Sequence, residues 1–169
     1  AHRPRAAADP IVARPGWTRA RPSSARGAAA SVEGMTTMLS PEAIEFLRKP
    51  NPAVMATLAK DGRPIAVATW YLLEEDGRIL VNLDAERVRL GHLRRDPRFA
   101  LDVIDESNWY THLSLQLVVD EIRDDADMSG IDSLSQHYGG RPYPDRERPR
   151  VDVRARIVGT SGWGALQGE

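Results

Sequence analysis

Two Asp-Gly pairs constrain the fold of this chain more than any other feature. Asp61-Gly62 and Asp76-Gly77 separate three runs rich in apolar residues, at 53–59, 65–73 and 78–83. Asp-Gly between such runs is typical of a tight β-hairpin, because glycine readily adopts the positive φ that these turns require. The sequence therefore predicts three strands joined in antiparallel order by two short turns.

Three further segments show the apolar alternation of a half-buried strand. They are residues 99–103, with Phe99, Leu101 and Val103 on one face; a strand within residues 109–122, with Leu113, Leu115, Leu117 and Val119 on one face; and residues 151–158. Six strands at short spacing with helices between them favour a closed or nearly closed antiparallel β-barrel. The predicted fold class is mainly β (α+β).

Three short helices are predicted around the strands. Ser40 is a good N-cap and Pro41 suits the first helical position. Between residues 84 and 95 the apolar period changes to that of a helix, and Asp84 is placed to cap it. A third helix is predicted at residues 131–138, where the apolar residues are spaced for one helical face.

Charge divides the chain into two parts. Residues 1–34 carry six arginines against two acidic residues, whereas the remaining residues carry 17 basic and 22 acidic ones. The first part has no apolar periodicity, so we predict that residues 1–37 are a disordered or non-native extension. We predict one domain at residues 38–162, which is an ordinary domain length, and a C-terminal tail at residues 163–169.

Several kinds of chemistry lack support in the sequence. The chain has no cysteine, which excludes disulfides and thiolate catalysis, and its four histidines are scattered without metal-ligand spacing. The acidic domain argues against nucleic-acid binding. No apolar run is long enough to span a membrane, so we expect a cytoplasmic protein. Redox chemistry would need a dissociable cofactor.

Four motifs together resemble the pyridoxamine 5'-phosphate oxidase-like superfamily, also called PPOX-like or FMN-binding split barrels. They lie at residues 82–98, 56–64, 69–71 and 137–144, the last with the sequence HYGGRPYP. The similarity is greatest to the branch of oxidoreductases that depend on the deazaflavin coenzyme F-420. It implies a six-stranded split β-barrel with short flanking helices that forms a homodimer, with the cofactor in a groove at the interface. It also implies hydride transfer between the reduced deazaflavin and an unsaturated organic acceptor.

One pair of residues departs from the family pattern. Members often have Arg-Gly in the fifth strand, where this chain has Gln116-Leu117. A glycine permits close backbone approach and a leucine does not. We therefore expect a narrower or differently shaped substrate pocket, and one arginine contact to the cofactor has no equivalent here.

Arg87 and Arg89 are the residues that the resemblance assigns to the anionic tail of the cofactor. Arginine binds phosphate and carboxylate oxygens in pairs, and a helix N-terminus nearby adds partial positive charge. Side chains two positions apart on a regular helix point about 200° apart, so both can serve only if Arg87 lies at the helix start. The alternative is that both are solvated surface arginines. FMN-binding members often have a lysine close to this arginine, whereas this chain has Val88 beside Arg87, which favours F-420 over FMN.

Thr57 and Asn82 lie on strands that lead into the implied groove. Their side chains can hydrogen-bond the cofactor or, equally well, neighbouring backbone groups. Both are candidate cofactor-binding residues.

Four aromatic residues are candidates for the wall of a substrate pocket, although aromatic side chains in strands more often serve packing. They are Trp70, Tyr71, Trp109 and Tyr110. No catalytic side chain is assigned, because the cofactor performs the difficult step. A proton donor, if one is used, is Tyr71, Tyr110 or solvent.

Two alternatives to F-420-dependent oxidoreduction remain. The first is an FMN-dependent oxidoreductase on the same barrel, and the second is a non-catalytic protein that carries a cofactor or another ligand. The partners expected are a small-molecule substrate and a second copy of the chain, with no metal, nucleic acid or membrane. Quinones, tetrapyrroles and other unsaturated acceptors all remain open as substrates.

Overall fold

The computed structural model describes residues 39–168, and the predicted extension at residues 1–37 lies outside this range. Seven antiparallel strands form one curved sheet in the order β2-β1-β5-β6-β7-β4-β3. The strands are β1 Ala53–Leu58, β2 Pro64–Thr69, β3 Leu72–Leu73, β4 Ile79–Asp84, β5 Arg98–Ile104, β6 His112–Asp124 and β7 Arg150–Trp163. The antiparallel split β-barrel architecture expected from the sequence is confirmed.

The sheet has seven strands instead of six because the segment predicted as one strand at residues 65–73 is divided. β2 pairs with β1, whereas β3 pairs with β4 at the opposite edge of the sheet. Trp70 and Tyr71 connect the two ladders and belong to neither. Tyr71 is fully buried, and its hydroxyl donates a hydrogen bond to the Lys49 carbonyl oxygen at 3.1 Å. This inward turn ends β2 and starts a new strand.

The barrel core consists of the inward-facing positions of the central strands. Leu113, Leu115 and Leu117 of β6 are buried, as the alternation predicts. β6 and β7 are long, and their pairing shifts register at Gln116/Leu117 and at Val119/Glu121. Such bulges bend strands and increase their twist, which helps a sheet to curl into a barrel.

Three α-helices flank the sheet: α1 at Pro41–Leu47, α2 at Val88–Arg95 and α3 at Ser129–Gly139. The Ser40 hydroxyl accepts a hydrogen bond from the amide of Ala43, so the predicted N-cap of α1 is confirmed. No helix within residues 39–168 has the length and apolar character needed to cross a membrane.

The prediction that Asp84 caps the second helix is wrong. Asp84 is the last residue of β4, where it pairs with Arg150 of β7, and α2 begins only at Val88. The Asp84 carboxylate instead accepts a hydrogen bond from the amide of Glu86 within the connecting turn. Strand pairing therefore holds Asp84 too far from the helix to cap it, and Arg87 occupies the N-cap position.

The C-terminal end of the described chain packs onto the barrel. β7 continues to Trp163 and is followed by a 3₁₀ helix at Gly164–Leu166, whose Leu166 is buried in the core. Gly164 has a φ of +67°, and a side chain there would contact the Tyr110 backbone. Residues 163–166 are therefore part of the folded unit.

Candidate functional site

A cavity of about 550 Å³ opens beside the carboxyl ends of β2 and β4. The start of α2, one face of α3, the loop that precedes β7, the loop after β5 and the segment between α1 and β1 complete its wall. Its lining includes Thr69, Trp70, Asn82, Asp84, Arg87, Arg89, Glu106, Leu134, Tyr138, Tyr143 and Arg150. Ligand sites in proteins commonly have volumes of roughly 300–1,000 Å³ and combine aromatic walls with a few polar groups. This cavity has both properties.

The turn between β4 and α2 directs two arginines to this cavity. Arg87, at the N-cap of α2, has extended backbone angles (φ −67°, ψ 130°), and Arg89 lies in the first helical turn. Arg87 thus lies at the helix start, which allows both arginines to reach one site. Both side chains line the cavity, although they are only two positions apart.

Arg89 carries an unsatisfied buried donor. Its Nη1 atom is buried and has no hydrogen-bond partner among residues 39–168. Burial lowers the pKa of the Arg89 guanidinium, and the charge of Arg87 lowers it further. Among the described residues, no acidic side chain forms an ion pair with either arginine. A buried donor without an acceptor costs free energy, so this part of the wall is suited to an anion.

Asn82 lines the cavity, but other protein groups use its hydrogen-bonding capacity. The Asn82 Nδ2 atom donates to Asp125 and Asp152 carboxylate oxygens, each at 2.8 Å. The Asn82 Oδ1 atom accepts from the Nε of Arg150 at 2.7 Å, and the Asn82 backbone oxygen accepts from Nη2 of the same arginine at 3.3 Å. Sequence reasoning missed Arg150, because only the β4–β7 pairing brings it to Asn82.

One of the two carboxylates that bind Asn82 also holds α3 against the sheet, and the other lies close to that helix. Asp125 accepts hydrogen bonds from the amides of Gly130 and Ile131 in the first turn of α3. Asp152 is almost completely buried, and burial is the main cause that raises its pKa, with a further contribution from Asp125. A side chain at Gly130 would overlap the Asp152 carboxylate, so this position requires glycine.

Aromatic rings form another part of the cavity wall. Trp70 stacks on Tyr138 with ring centroids 5.3 Å apart and an interplanar angle of 11°, and it meets Tyr143 edge-on at 6.5 Å. The Arg150 guanidinium lies over the Tyr143 ring, 5.1 Å from its centroid. The Tyr138 hydroxyl donates to the Asn51 carbonyl oxygen, and burial raises the pKa of Tyr138 to about 12. Tyr138 and Tyr143 both lie in the HYGGRPYP motif.

Two predicted site residues lie in the interior instead. Thr57 faces inward from β1, and its hydroxyl is 3.0 Å from Nδ1 of buried His92 on α2. Tyr71 is enclosed by the core, and burial raises the pKa of its hydroxyl, which already donates to a backbone oxygen. Neither residue lines the cavity. The structure therefore does not place Thr57 where it could contact a cofactor in this cavity, or Tyr71 where it could contact a substrate or donate a proton.

Trp109 and Tyr110 are exposed on the loop between β5 and β6. Their rings stack on each other with centroids 4.3 Å apart, and the two residues are 67% and 59% exposed. The same loop contributes Glu106 to the cavity, but neither ring lines it. Their predicted place in a substrate-pocket wall is therefore not realised within one copy of the chain.

Leu117 also lies away from the cavity. It is only 1% exposed, packs in the barrel core and pairs with Phe99 and Ile157 on the neighbouring strands. The expectation that Leu117 narrows the substrate pocket thus does not follow from its position, because it faces the interior of the barrel.

The antiparallel sheet and its flanking helices define the class of this protein, which is the split β-barrel. The model of the pyridoxamine 5'-phosphate oxidase family matches residues 39–163. The chain belongs to this family.

Solved structures with the same fold include proteins of different character. An F-420 reductase is 25% identical over 69% of this chain and 94% of its own, with a TM-score of 0.63. A conserved hypothetical protein of Mycobacterium tuberculosis is 28% identical over 75% of this chain and 85% of its own, with a TM-score of 0.60. HutZ, the heme storage protein from Vibrio cholerae, is 18% identical over 75% of this chain and 96% of its own (TM-score 0.55), which shows the fold alone. A comparison with curated proteins found no significant match.

Proposed function

We propose that this protein is an F-420-dependent oxidoreductase that transfers a hydride between the reduced deazaflavin and an unsaturated organic acceptor. The observation that carries the proposal is that Arg87 and Arg89 line one cavity, where Arg89 keeps a buried Nη1 atom without a partner among residues 39–168. The similarity to an F-420 reductase at 25% identity supports the choice of cofactor.

The residues of the cavity fit the chemical groups of this coenzyme. F-420 carries a phosphate and a glutamate tail, both anionic. Arg87 and Arg89 offer paired N–H donors, and neither forms an ion pair with an acidic side chain within residues 39–168. The exposed part of Trp70 offers an apolar surface to a flat ring. When bound, the deazaflavin supplies the hydride chemistry; the protein orients the ring and the acceptor and excludes water.

The oligomeric state is part of the proposal. β2 lies at the edge of the sheet, and Ala66, Val67 and Ala68 leave a small apolar surface exposed along it. Exposed apolar edge strands are rare in monomers because they attract further strands or apolar surfaces. Ala68 and Thr69 also line the cavity, so a second copy of the chain against β2 would border the same site. We therefore propose a homodimer with the cofactor groove at its interface.

Titration of the purified protein with F-420, followed by the fluorescence of the deazaflavin, tests the proposed cofactor. We expect micromolar or tighter binding that weakens as the salt concentration rises, because the contacts are ionic. Arg89→Ala should weaken binding at least about tenfold, the usual size of a lost charge-assisted hydrogen bond. Arg94→Ala is the matched control, since Arg94 is exposed in the last turn of the same helix and does not line the cavity.

Absence of binding at micromolar F-420 would overturn the proposal. FMN is the second candidate cofactor, since the family includes FMN-binding members, and a competition titration shows which of the two displaces the other. Binding of F-420 without turnover across a broad panel of acceptors would identify a carrier instead of an enzyme.

A further inference from the structure

Arg150 lies on the same face of the sheet as Asn82, which accepts its hydrogen bonds. In the β4–β7 ladder, Arg150 pairs with Asp84 and Asp152 pairs with Asn82. Side chains two positions apart on a strand share a face, so these four side chains project to one side of the sheet. That side carries the cavity, which Asn82, Asp84 and Arg150 all line.

The Arg150 guanidinium is fixed on two sides and free on a third. Its Nε and Nη2 atoms donate to Asn82, and the group lies over the ring of Tyr143. Its Nη1 atom has no partner among residues 39–168, and Arg150 forms no ion pair with an acidic side chain of that range. Arg150 therefore presents a positive charge and free N–H donors from a defined position in the cavity wall.

Asn82 has only one amide orientation that its neighbours allow. Its NH₂ group lies between the carboxylates of Asp125 and Asp152, which accept hydrogen bonds and cannot donate them when ionised. Its Oδ1 atom faces the Nε donor of Arg150. A flipped amide would set oxygen against two carboxylates and NH₂ against a guanidinium. The buried carboxylates thus fix Asn82, and Asn82 in turn fixes Arg150.

We propose that Arg150 is a further ligand-binding residue of the cavity and that Asn82 is its positioning residue. Arg150, Trp70 and Tyr143 form a subsite for a flat ring that bears a carboxylate or phosphate group. The inference rests on the same cavity as the proposed function and specifies what a ligand there must contain. The anionic group belongs either to the tail of F-420 or to the hydride acceptor. In both cases the free donors of Arg150 bind its oxygens.

The test compares Arg150→Gln with Arg156→Gln. Arg156 lies on the same strand, is exposed, pairs with Asp120 and does not line the cavity, so it controls for the loss of one positive charge. Four probes are titrated calorimetrically into each protein: F-420, its chromophore without phosphate and glutamates, 2-naphthoate and uncharged 2-naphthamide. Each pair of probes shares a ring and differs in its anionic group.

Two results support the subsite and distinguish the source of the anion. If Arg150→Gln weakens F-420 binding by about tenfold or more and leaves the chromophore unchanged, the anion belongs to the cofactor. If it weakens 2-naphthoate but not 2-naphthamide by a similar factor, the anion belongs to the acceptor.

The subsite is overturned if Arg150→Gln binds every probe as Arg156→Gln does, or if the wild-type protein binds neither F-420 nor 2-naphthoate. Failure of the proposed cofactor is a different result. If 2-naphthoate binds in an Arg150-dependent manner and F-420 does not bind, the subsite stands and the F-420 proposal falls.

A double-mutant cycle tests the positioning role of Asn82. We expect Asn82→Ala to weaken binding of the responsive probe severalfold in the wild-type background and to have little further effect in the Arg150→Gln background. Equal losses in both backgrounds would show that Asn82 does not act through Arg150. Because Asn82 is buried between two carboxylates, Arg150→Lys provides a second measurement. It keeps the charge but loses the planar fork held by Asn82, so full recovery of binding by lysine would also contradict positioning.

Discussion

The hydroxyl oxygen of Thr57 and the Nδ1 atom of His92 lie 3.0 Å apart and join β1 to α2 in the interior of the protein. Both residues are buried, and α2 is the helix whose first turn carries Arg89. This hydrogen bond therefore fixes the helix against the barrel behind the cationic part of the cavity wall.

Thr57→Val should destabilise the protein by about 1–3 kcal/mol, because it leaves a buried imidazole nitrogen without its partner. The free energy of unfolding in urea measures the effect. Thr160→Val is the control, because Thr160 is half-buried on β7 and its side chain has no hydrogen bond to lose. Equal stability of the two variants would show that the Thr57–His92 hydrogen bond contributes little.

Gly130→Ala should destabilise the protein by about 1–3 kcal/mol, the usual cost of forcing atoms into a packed interior. The added methyl group would overlap the Asp152 carboxylate, which is buried and bonded to Asn82. Gly139→Ala in the same helix meets nothing within 4 Å, so it should leave the melting temperature unchanged or slightly higher. If both substitutions are tolerated equally, the close approach of α3 to β7 is incorrect.

The pH dependence of stability should reveal Asp152. Burial raises its folded-state pKa above 3.8, so the native state retains this proton to higher pH than the unfolded chain does. The contribution of Asp152 is therefore most favourable below pH 3.8 and is lost as pH rises through the raised pKa. Wild-type protein should lose stability relative to Asp152→Asn over that window, as measured by urea unfolding at several pH values. If the stability of the wild type relative to Asp152→Asn stayed constant or increased as pH rises, the raised pKa of Asp152 would be contradicted.

Val67→Lys should convert the proposed homodimer to a monomer, because it places a charge on the exposed apolar surface of edge strand β2. Sedimentation velocity measures the change in mass. Val158→Lys is the matched control, as Val158 is a similarly exposed valine, 42% against 38%, on a central strand. A wild-type protein that sediments as a monomer would refute the proposed interface.

Trp70→Leu should weaken the binding of 2-naphthamide, since it removes the aromatic surface that stacks on Tyr138 and lines the cavity. Trp109→Leu should have no such effect, because Trp109 does not line the cavity. Calorimetric titration separates the two cases. The reverse pattern would indicate that the exposed Trp109–Tyr110 pair, and not Trp70, forms the ring-binding wall.

Local sequence was sufficient for the features that depend on neighbouring residues. The Asp-Gly turns predict two hairpins because the turn residues and the flanking strands are adjacent in the chain, and Gly62 and Gly77 do have positive φ. The stretch around Arg87 and Arg89 is likewise contiguous, so its place at a strand-to-helix junction could be predicted.

Features that depend on pairing between distant segments could not be predicted in this way. Asn82 and Arg150 are 68 residues apart, and Thr57 and His92 are 35 apart. No local periodicity encodes which strands become neighbours, or that Trp70 leaves one ladder while Tyr71 turns inward. The place of Arg150 in the cavity wall, and the burial of Thr57 and Tyr71 away from the cavity, could therefore not be predicted from the sequence.

The hydrogen bonds of Asn82 connect the start of α3 to the cavity wall. On one side is Asp125, which accepts from the amides of Gly130 and Ile131 at the start of α3, and on the other is Arg150 in the cavity wall. An anion that tightens Arg150 against Asn82 would also hold Asp125 in place. Occupancy of the cavity should thus slow the hydrogen–deuterium exchange of the Gly130 amide, which donates to Asp125 and belongs to a residue that does not line the cavity. Local opening at the start of α3 would then report ligand binding without direct contact at Gly130.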